Sequence, residues 1–203
     1  MTLNINAFDT TNQRTVQWRD SPSRYGRISR VLHWLTAILV MLQFTVVLAW
    51  RGTGKNTVTL FLSDIGPHGT LGLMILIVTL VRFIWAWLNR QQRPPKTPSV
   101  CGKLARVVHV TFYVILLCLP TLALLRQYGE GYAIQFYGMI LVTEAERDIA
   151  WMIAPADLLH SPLAWLLGGL ITGHIIMALT HHFWFKDKTL ARMLGQTSDG
   201  SPS

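Results

Sequence analysis

The stretch LLHSPLAWLLGGLITGHIIMALTHHF, residues 158–183, decides the fold, because it combines a membrane-length apolar run with internal histidines. A helix needs about 20 residues to cross the hydrocarbon core of a bilayer, and this run exceeds that length. His160 and His174 are fourteen residues apart. Fourteen residues make close to four helical turns, so both side chains point to one face, about 21 Å apart along the axis. One metal ion cannot touch both rings, so the spacing predicts two metal centres stacked across the membrane.

Three further segments share this apolar character, and together the four predict an integral membrane protein. Apolar residues make up 51% of the 203-residue chain and charged residues only 14%, whereas soluble domains have about 25% charged residues. The other apolar segments cover residues 31–50, 68–88 and about 104–125. We therefore predict an all-α fold, an integral membrane four-helix bundle surrounded by membrane lipid.

The basic residues predict the orientation of this bundle. They are frequent in residues 1–30, in the loop 89–103 and after residue 183, and sparse in 51–67 and 126–157. Because Lys and Arg accumulate in cytoplasmic loops, both termini are expected to be cytoplasmic. The formal net charge is +8, but these residues lie between apolar runs rather than in one patch, so we expect no nucleic acid partner.

The connections carry two further expectations. Prolines 94, 95 and 98 predict a stiff, non-helical loop on the cytoplasmic side. The apolar stretch GYAIQFYGMILV, within residues 126–157, is too short to cross the membrane. We interpret it as an interfacial or re-entrant lid on the outer face.

The histidines suggest which metal centre is present. All seven lie in or at the ends of the apolar segments, where ionisable residues are costly and usually functional. Depth predicts two pairs: His33 with His174 toward the cytoplasm, and His68 with His160 toward the outside. Haem b needs only two axial histidines and an apolar pocket, whereas zinc usually needs three or four converging ligands. The alternative is that these histidines only pack or hydrogen-bond, and His181 is a rival to His174.

Other residues are candidates for binding the cofactor rather than the metal. Arg82 lies late in the second segment, where a haem propionate would be its natural counter-ion, although snorkelling to the inner headgroups is an alternative. Arg27 and Arg30 precede the first segment and either act similarly or only mark topology. His109 either hydrogen-bonds a propionate or a quinone, or packs between helices. Gly69 and the glycines near His174 would allow a flat macrocycle to lie close to a helix.

At these residues the chain resembles the bacterial cytochrome b561 family. The matching stretches are YGRISRVLHW (25–34), the His68-Gly69 opening, VRF (81–83), HVTFYVILLCLP (109–120) and HHFWFKDKTLARM (181–193). The resemblance implies a domain over 25–194, an N-terminal extension over 1–24 and a polar tail over 195–203. It further implies two non-covalent haem b groups, bound by His33, His68, His160 and His174. The resemblance also implies a location in the bacterial inner (plasma) membrane and exchange of electrons with membrane quinone such as ubiquinone, and superoxide is a suggested donor.

Other functions remain open. The chain could instead be a haem-b anchor subunit for a partner dehydrogenase or hydrogenase, or a His-lined membrane transporter. A homodimer or a partner redox protein is compatible with its small-residue stretches. The sequence identifies no catalytic residue, and whether the protein is an oxidoreductase stays undecided.

Overall fold

Four long helices dominate the computed structural model, which describes residues 17–93, 100–186 and 189–195. Within this part of the chain, these four are the helices long and apolar enough to cross a membrane, which confirms the predicted four-helix membrane bundle. The elements in chain order are α1 (Arg27–Thr53), α2 (Thr57–Ile65), α3 (His68–Leu88), α4 (Val100–Gly129), β1 (Ile134–Phe136), β2 (Met139–Val142), α5 (Ala150–Phe183) and α6 (Thr189–Leu194).

Some expectations fall outside the described residues. They concern the proline-rich part of the 89–103 loop, most of the N-terminal extension and nearly all of the polar tail.

A short helix, α2, lies in the connection between the first two spans. Its start is strongly specified, because the Asn56 side chain accepts hydrogen bonds from the backbone N–H groups of Val58 and Thr59 while Thr59 caps Asn56 in return. Gly66 and Pro67 then interrupt the chain, and α3 begins at His68. This break places the His68 ring at the very end of a membrane-spanning helix.

The apolar core lies midway along the bundle. It brings together Leu39 and Val40 of α1, residues of α3 and α4, and Leu167 of α5. Helix α1 packs along α3, α3 along α4, and α4 along α5, whereas the described residues of α1 and α5 approach each other at few points. Most other apolar side chains on the four helices face outward, where lipid rather than water would surround them.

The bundle has two chemically different ends. The end that carries α6 and the starts of α1 and α4, here called the terminal end, is held by polar contacts. Asp20 is buried, accepts a hydrogen bond from the Gly26 N–H at 2.8 Å and pairs with the Arg93 Nε at 3.0 Å. The Trp34 indole N–H donates to the Met193 carbonyl at 3.4 Å, which fixes α6 against α1.

A β-hairpin marks the opposite end, here called the hairpin end. Strands β1 and β2 pair antiparallel around Tyr137 and Gly138, whose φ angles of 44° and 84° suit a tight two-residue turn. The Tyr137 hydroxyl donates to the Ile65 carbonyl at 3.2 Å, so the hairpin is attached to α2. The predicted interfacial or re-entrant lid is thus a β-hairpin, whose turn allows the apolar stretch to satisfy its backbone groups as paired strands, and its depth in the membrane stays a prediction.

Candidate haem sites

The first histidine pair lies at the hairpin end. His68 opens α3, and His160 lies one-third of the way along α5. Their ring centroids are 6.0 Å apart, with an angle of 62° between the ring planes. The His160 ring also hydrogen-bonds the main-chain carbonyl of Leu119 on α4. The structure thus brings together two residues that are 92 positions apart in the chain.

The second pair lies toward the terminal end. The ring centroids of His33 on α1 and His174 on α5 are 6.5 Å apart, with an interplanar angle of 65°. Helix α5 therefore supplies one histidine to each pair, as its fourteen-residue spacing requires. His181 has its ring contact with Phe185 instead, so it is His174 that faces His33.

Both separations suit two axial ligands of one iron. A metal–imidazole bond is about 2 Å long and the ring centre lies about 1 Å beyond the nitrogen, so ligands on opposite sides of one iron have ring centres about 6 Å apart. In the described residues, no group of three or more His, Cys, Asp or Glu side chains is placed to hold a metal ion. Two imidazoles are the ligand set that a b-type haem uses.

A mainly apolar cavity adjoins the hairpin-end pair. It measures about 320 Å³, which is within the usual range for ligand pockets. Gly69 and Gly72 of α3 line it, and a Cβ added at Gly72 would project into the space beside Pro120. Apart from the two histidines and a few polar groups its walls are apolar, including Val40, Phe44, Leu116 and Leu167. This apolar lining, with two imidazoles at its edge, fits a porphyrin.

The glycines near His174 differ from one another in their surroundings. A Cβ at Gly168 would lie 3.3 Å from the Phe44 ring, so this glycine permits close packing of α5 against α1. Around Gly169 and Gly173 there is open space. The open space at Gly169 and Gly173 leaves room for the flat macrocycle expected there from the sequence, and that role stays a prediction.

Arg82 lies beside the terminal-end pair. Its guanidinium is 2.9 Å from the His33 Nδ1 and stacks over the Tyr113 ring at 5.5 Å. This position is within the bundle rather than at its margin, which argues against simple snorkelling to the headgroups. A role toward a propionate stays a prediction.

His109 of α4 also belongs to this neighbourhood. Its ring centroid is 5.5 Å from that of His174, and Phe112 approaches His174 at the same distance. The His109 Nδ1 hydrogen-bonds the Ala105 carbonyl one turn earlier. His109 therefore packs against a candidate ligand, and the hydrogen bond to the backbone orients its ring. A bond from His109 to a propionate or a quinone remains a prediction.

Arg27 and Arg30 lie at the margin of the terminal end. Arg27 stacks over Trp18 at 5.2 Å. The Arg30 guanidinium lies against Gly195, where a Cβ would overlap with it. Both side chains thus contact terminal segments of the chain, and their proposed part in binding a cofactor stays untested.

Sequence reasoning missed one polar residue, Gln43, that contacts a histidine of these sites. Gln43 of α1 places its amide Nε2 2.8 Å from the His68 Nδ1. Arg51 stacks over Trp165 at 5.9 Å beside the hairpin-end cavity. Gln43 had a visible signal, because a primary amide in the middle of an apolar span is costly unless it has a polar partner.

A membrane bundle with two paired-imidazole sites and an apolar cavity beside one of them is typical of multi-pass membrane haem proteins. The sequence profile of the family described as prokaryotic cytochrome b561 matches residues 24–196. The chain belongs to this family, whose members bind haem b and carry electrons, and the resemblance seen in the sequence is confirmed.

Named relatives extend this comparison over most of the chain. "Cytochrome b561 homolog 2" of Escherichia coli K12 is 31% identical over 184 residues, which cover 90% of this chain and 97% of that protein. "Probable superoxide oxidase CybB" of Yersinia pestis is 27% identical over 84% of this chain and 96% of its own length. "Cytochrome b561 homolog 1" of Escherichia coli K12 is 26% identical over 85% and 97%.

Proposed function

We propose that this protein is a dihaem cytochrome b that carries single electrons across the bacterial inner membrane. The observation that supports it is the pair of two-imidazole sites at different depths, with ring separations of 6.0 and 6.5 Å, joined by one helix. We assign this function to residues 25–194. The terminal end would face the cytoplasm, in line with the basic residues around it.

Haem b bound at these sites would supply reversible one-electron chemistry at its iron. His68 and His160 would hold one group, and His33 and His174 the other. Because each pair offers two imidazoles, neither haem iron would keep a free position for a substrate, and electrons would enter and leave by an outer-sphere route. The apolar walls of the cavity exclude water and so strengthen every nearby electrostatic interaction.

The electron partners we propose are superoxide at the hairpin end and a membrane quinone as acceptor. The printed name of the Yersinia relative supports superoxide. Two superoxide anions would release two O₂ and two electrons, and a quinone would take both electrons and two protons to form the quinol. Arg51, beside the cavity, is the basic residue placed to attract an anion. Arg126 is less available, because Glu130 and Asp157 pair with it at 2.8 and 2.9 Å.

Haem content and paired histidine variants test the proposal. Purified protein should contain about two haems per chain, since each requires two axial ligands. His33→Ala and His174→Ala should remove the same haem, and His68→Ala and His160→Ala the other, as measured by reduced-minus-oxidised spectra and redox titration.

His182→Ala is the matched control, because its exposed ring contacts Phe183 rather than a histidine, and it should retain both haems. A colourless protein would favour the transporter alternative. If His33→Ala and His174→Ala remove different haems, the proposed pairing is wrong.

A further inference from the structure

An amide side chain inside the bundle is joined to one candidate ligand. Gln43 projects from the middle of α1 toward the start of α3, where its Nε2 lies 2.8 Å from the His68 Nδ1 and donates to the His68 carbonyl at 3.2 Å. The Gln43 Oε1 is buried and, within the described residues, has no hydrogen-bond partner. An unpaired buried acceptor is costly, so this amide is a candidate for a second arrangement.

When one ring nitrogen of a histidine binds a metal, the other nitrogen carries the proton and requires a hydrogen-bond acceptor. When the Nε2 of His68 gives its lone pair to iron, the ring proton is on Nδ1, which then requires an acceptor rather than a donor. A half-turn of the Gln43 amide exchanges Nε2 and Oε1, two groups of nearly equal size. The unpaired Oε1 would then accept from Nδ1–H, and the bond to the His68 carbonyl would be given up.

We infer that Gln43 is the positioning residue of His68: its Oε1 accepts the Nδ1–H of the iron-bound ring and tunes the haem at the hairpin end. This inference rests on the proposed function, since it requires iron at His68. An acceptor on Nδ1 fixes the ring and makes the imidazole a more basic ligand. A more basic ligand stabilises ferric over ferrous iron, so Gln43 lowers the reduction potential of that haem.

The other ligand at this end is held differently. His160 hydrogen-bonds the main-chain carbonyl of Leu119, a partner that no side-chain substitution removes. Gln127 lines the same cavity, but its Nε2 donates to the Ala133 carbonyl at 2.7 Å. Gln127 is therefore the matched control for Gln43, with the same functional group in the same cavity and a main-chain partner instead of His68.

The test compares neutral and acidic substitutions at both positions in the haem-loaded protein. Gln43→Leu removes the acceptor, so the potential of the hairpin-end haem should rise and that haem should dissociate about ten times faster, a typical effect of losing such a partner. Gln43→Glu retains an acceptor of the same length, so its potential should equal that of the unsubstituted protein or lie below it. Redox titration and transfer of haem to apomyoglobin measure the two quantities.

Gln127→Leu and Gln127→Glu control for lost packing and for added charge in the cavity. Gln127→Leu should leave the reduction potential of the hairpin-end haem unchanged. If Gln127→Glu lowers that potential, the decrease measures the effect of a carboxylate charge in the cavity alone. If Gln43→Leu behaves like Gln127→Leu, or if Gln43→Glu raises the potential together with Gln43→Leu, the inference is wrong. If His68→Ala retains both haems, the proposed function itself is overturned.

Discussion

At the scale of single residues, the two histidine pairs differ in the groups that contact their rings. At the hairpin end the partners are the Leu119 carbonyl and the Gln43 amide. At the terminal end a guanidinium, that of Arg82, lies 2.9 Å from the His33 Nδ1. A nearby cation disfavours the more positive ferric state, so Arg82 should raise the reduction potential of a haem bound there. Its N–H groups would then turn away from the Nδ1–H of an iron-bound His33, because a guanidinium has no acceptor to offer.

Replacing Arg82 tests that electrostatic effect. Arg82→Leu should lower the potential of the terminal-end haem and change its reduction equilibrium at least about tenfold, because unit charges within about 10 Å of each other, at an effective dielectric of about 20, interact by about 1.7 kcal/mol or more. Arg82→Lys retains the charge and should shift the equilibrium less. Redox titration resolves both haems, and an unchanged terminal-end potential in Arg82→Leu would contradict the argument.

At the scale of elements, α3 supplies the wall of the hairpin-end cavity through its glycines. A Cβ at Gly72 would lie 4.0 Å from the Pro120 Cβ, which is an ordinary contact. Gly72→Ala should therefore be tolerated, whereas Gly72→Leu should fill the cavity and remove the hairpin-end haem. Absorbance of the reduced protein measures the loss.

The control for the glycine experiment lies on α5. Gly169 is exposed and has open space around it, so Gly169→Leu adds the same bulk outside the cavity and should retain both haems. Equal haem loss in Gly169→Leu and Gly72→Leu would show that bulk in any helix, rather than a filled cavity, causes the effect.

The start of α1 depends on a buried carboxylate. Asp20 joins the Gly26 N–H to Arg93, so it connects the segment before α1 with the turn after α3. Asp20→Ala leaves both groups without their partner and should lower the free energy of unfolding by about 1–3 kcal/mol, the range for losing a buried polar partner when the other member of the pair is partly exposed. Thermal unfolding in detergent, followed by tryptophan fluorescence, measures this change.

Glu130→Gln provides the comparison for Asp20. Its carboxylate pairs with Arg126 one helical turn away, and both side chains are partly exposed. Such a pair contributes less than about 1 kcal/mol, so the melting temperature should barely change. A larger effect from Glu130→Gln than from Asp20→Ala would be inconsistent with this account.

At the scale of the whole molecule, α5 is the helix that supplies one histidine to each pair, as the proposed electron transfer between two depths requires. His160 and His174 lie about 21 Å apart along its axis, a separation comparable with the thickness of the hydrocarbon core. We expect vesicles containing the haem-loaded protein to reduce a trapped, membrane-impermeant ferric acceptor when a reductant is added outside. Stopped-flow absorbance measures the rate.

Loss of either histidine pair should block that transfer, because each pair serves a different depth. His33→Ala and His68→Ala should both reduce the rate to that of vesicles without protein, whereas His182→Ala should not. Full transfer in His68→Ala would mean that the hairpin-end site is not on the route.

The sequence by itself determined the features that repeat along one helix. The four spans follow from the length of the apolar segments. His160 and His174 lie on the same face of one helix because they are fourteen residues apart and a helix has 3.6 residues per turn. The confirmed family membership was likewise readable in short stretches such as YGRISRVLHW. Assignment of the four histidines as ligands remains a prediction.

Only the tertiary structure decided which groups meet across helices. The contact of Gln43 with His68, the place of Arg82 beside His33 and the neutralisation of Arg126 by Asp157 each join residues distant in the chain. The hairpin over Ile134–Val142 likewise depends on pairing and on the Tyr137 contact with Ile65. Periodicity fixes the face of one helix but not its rotation or height relative to a neighbour, and those depend on how all the helices pack together.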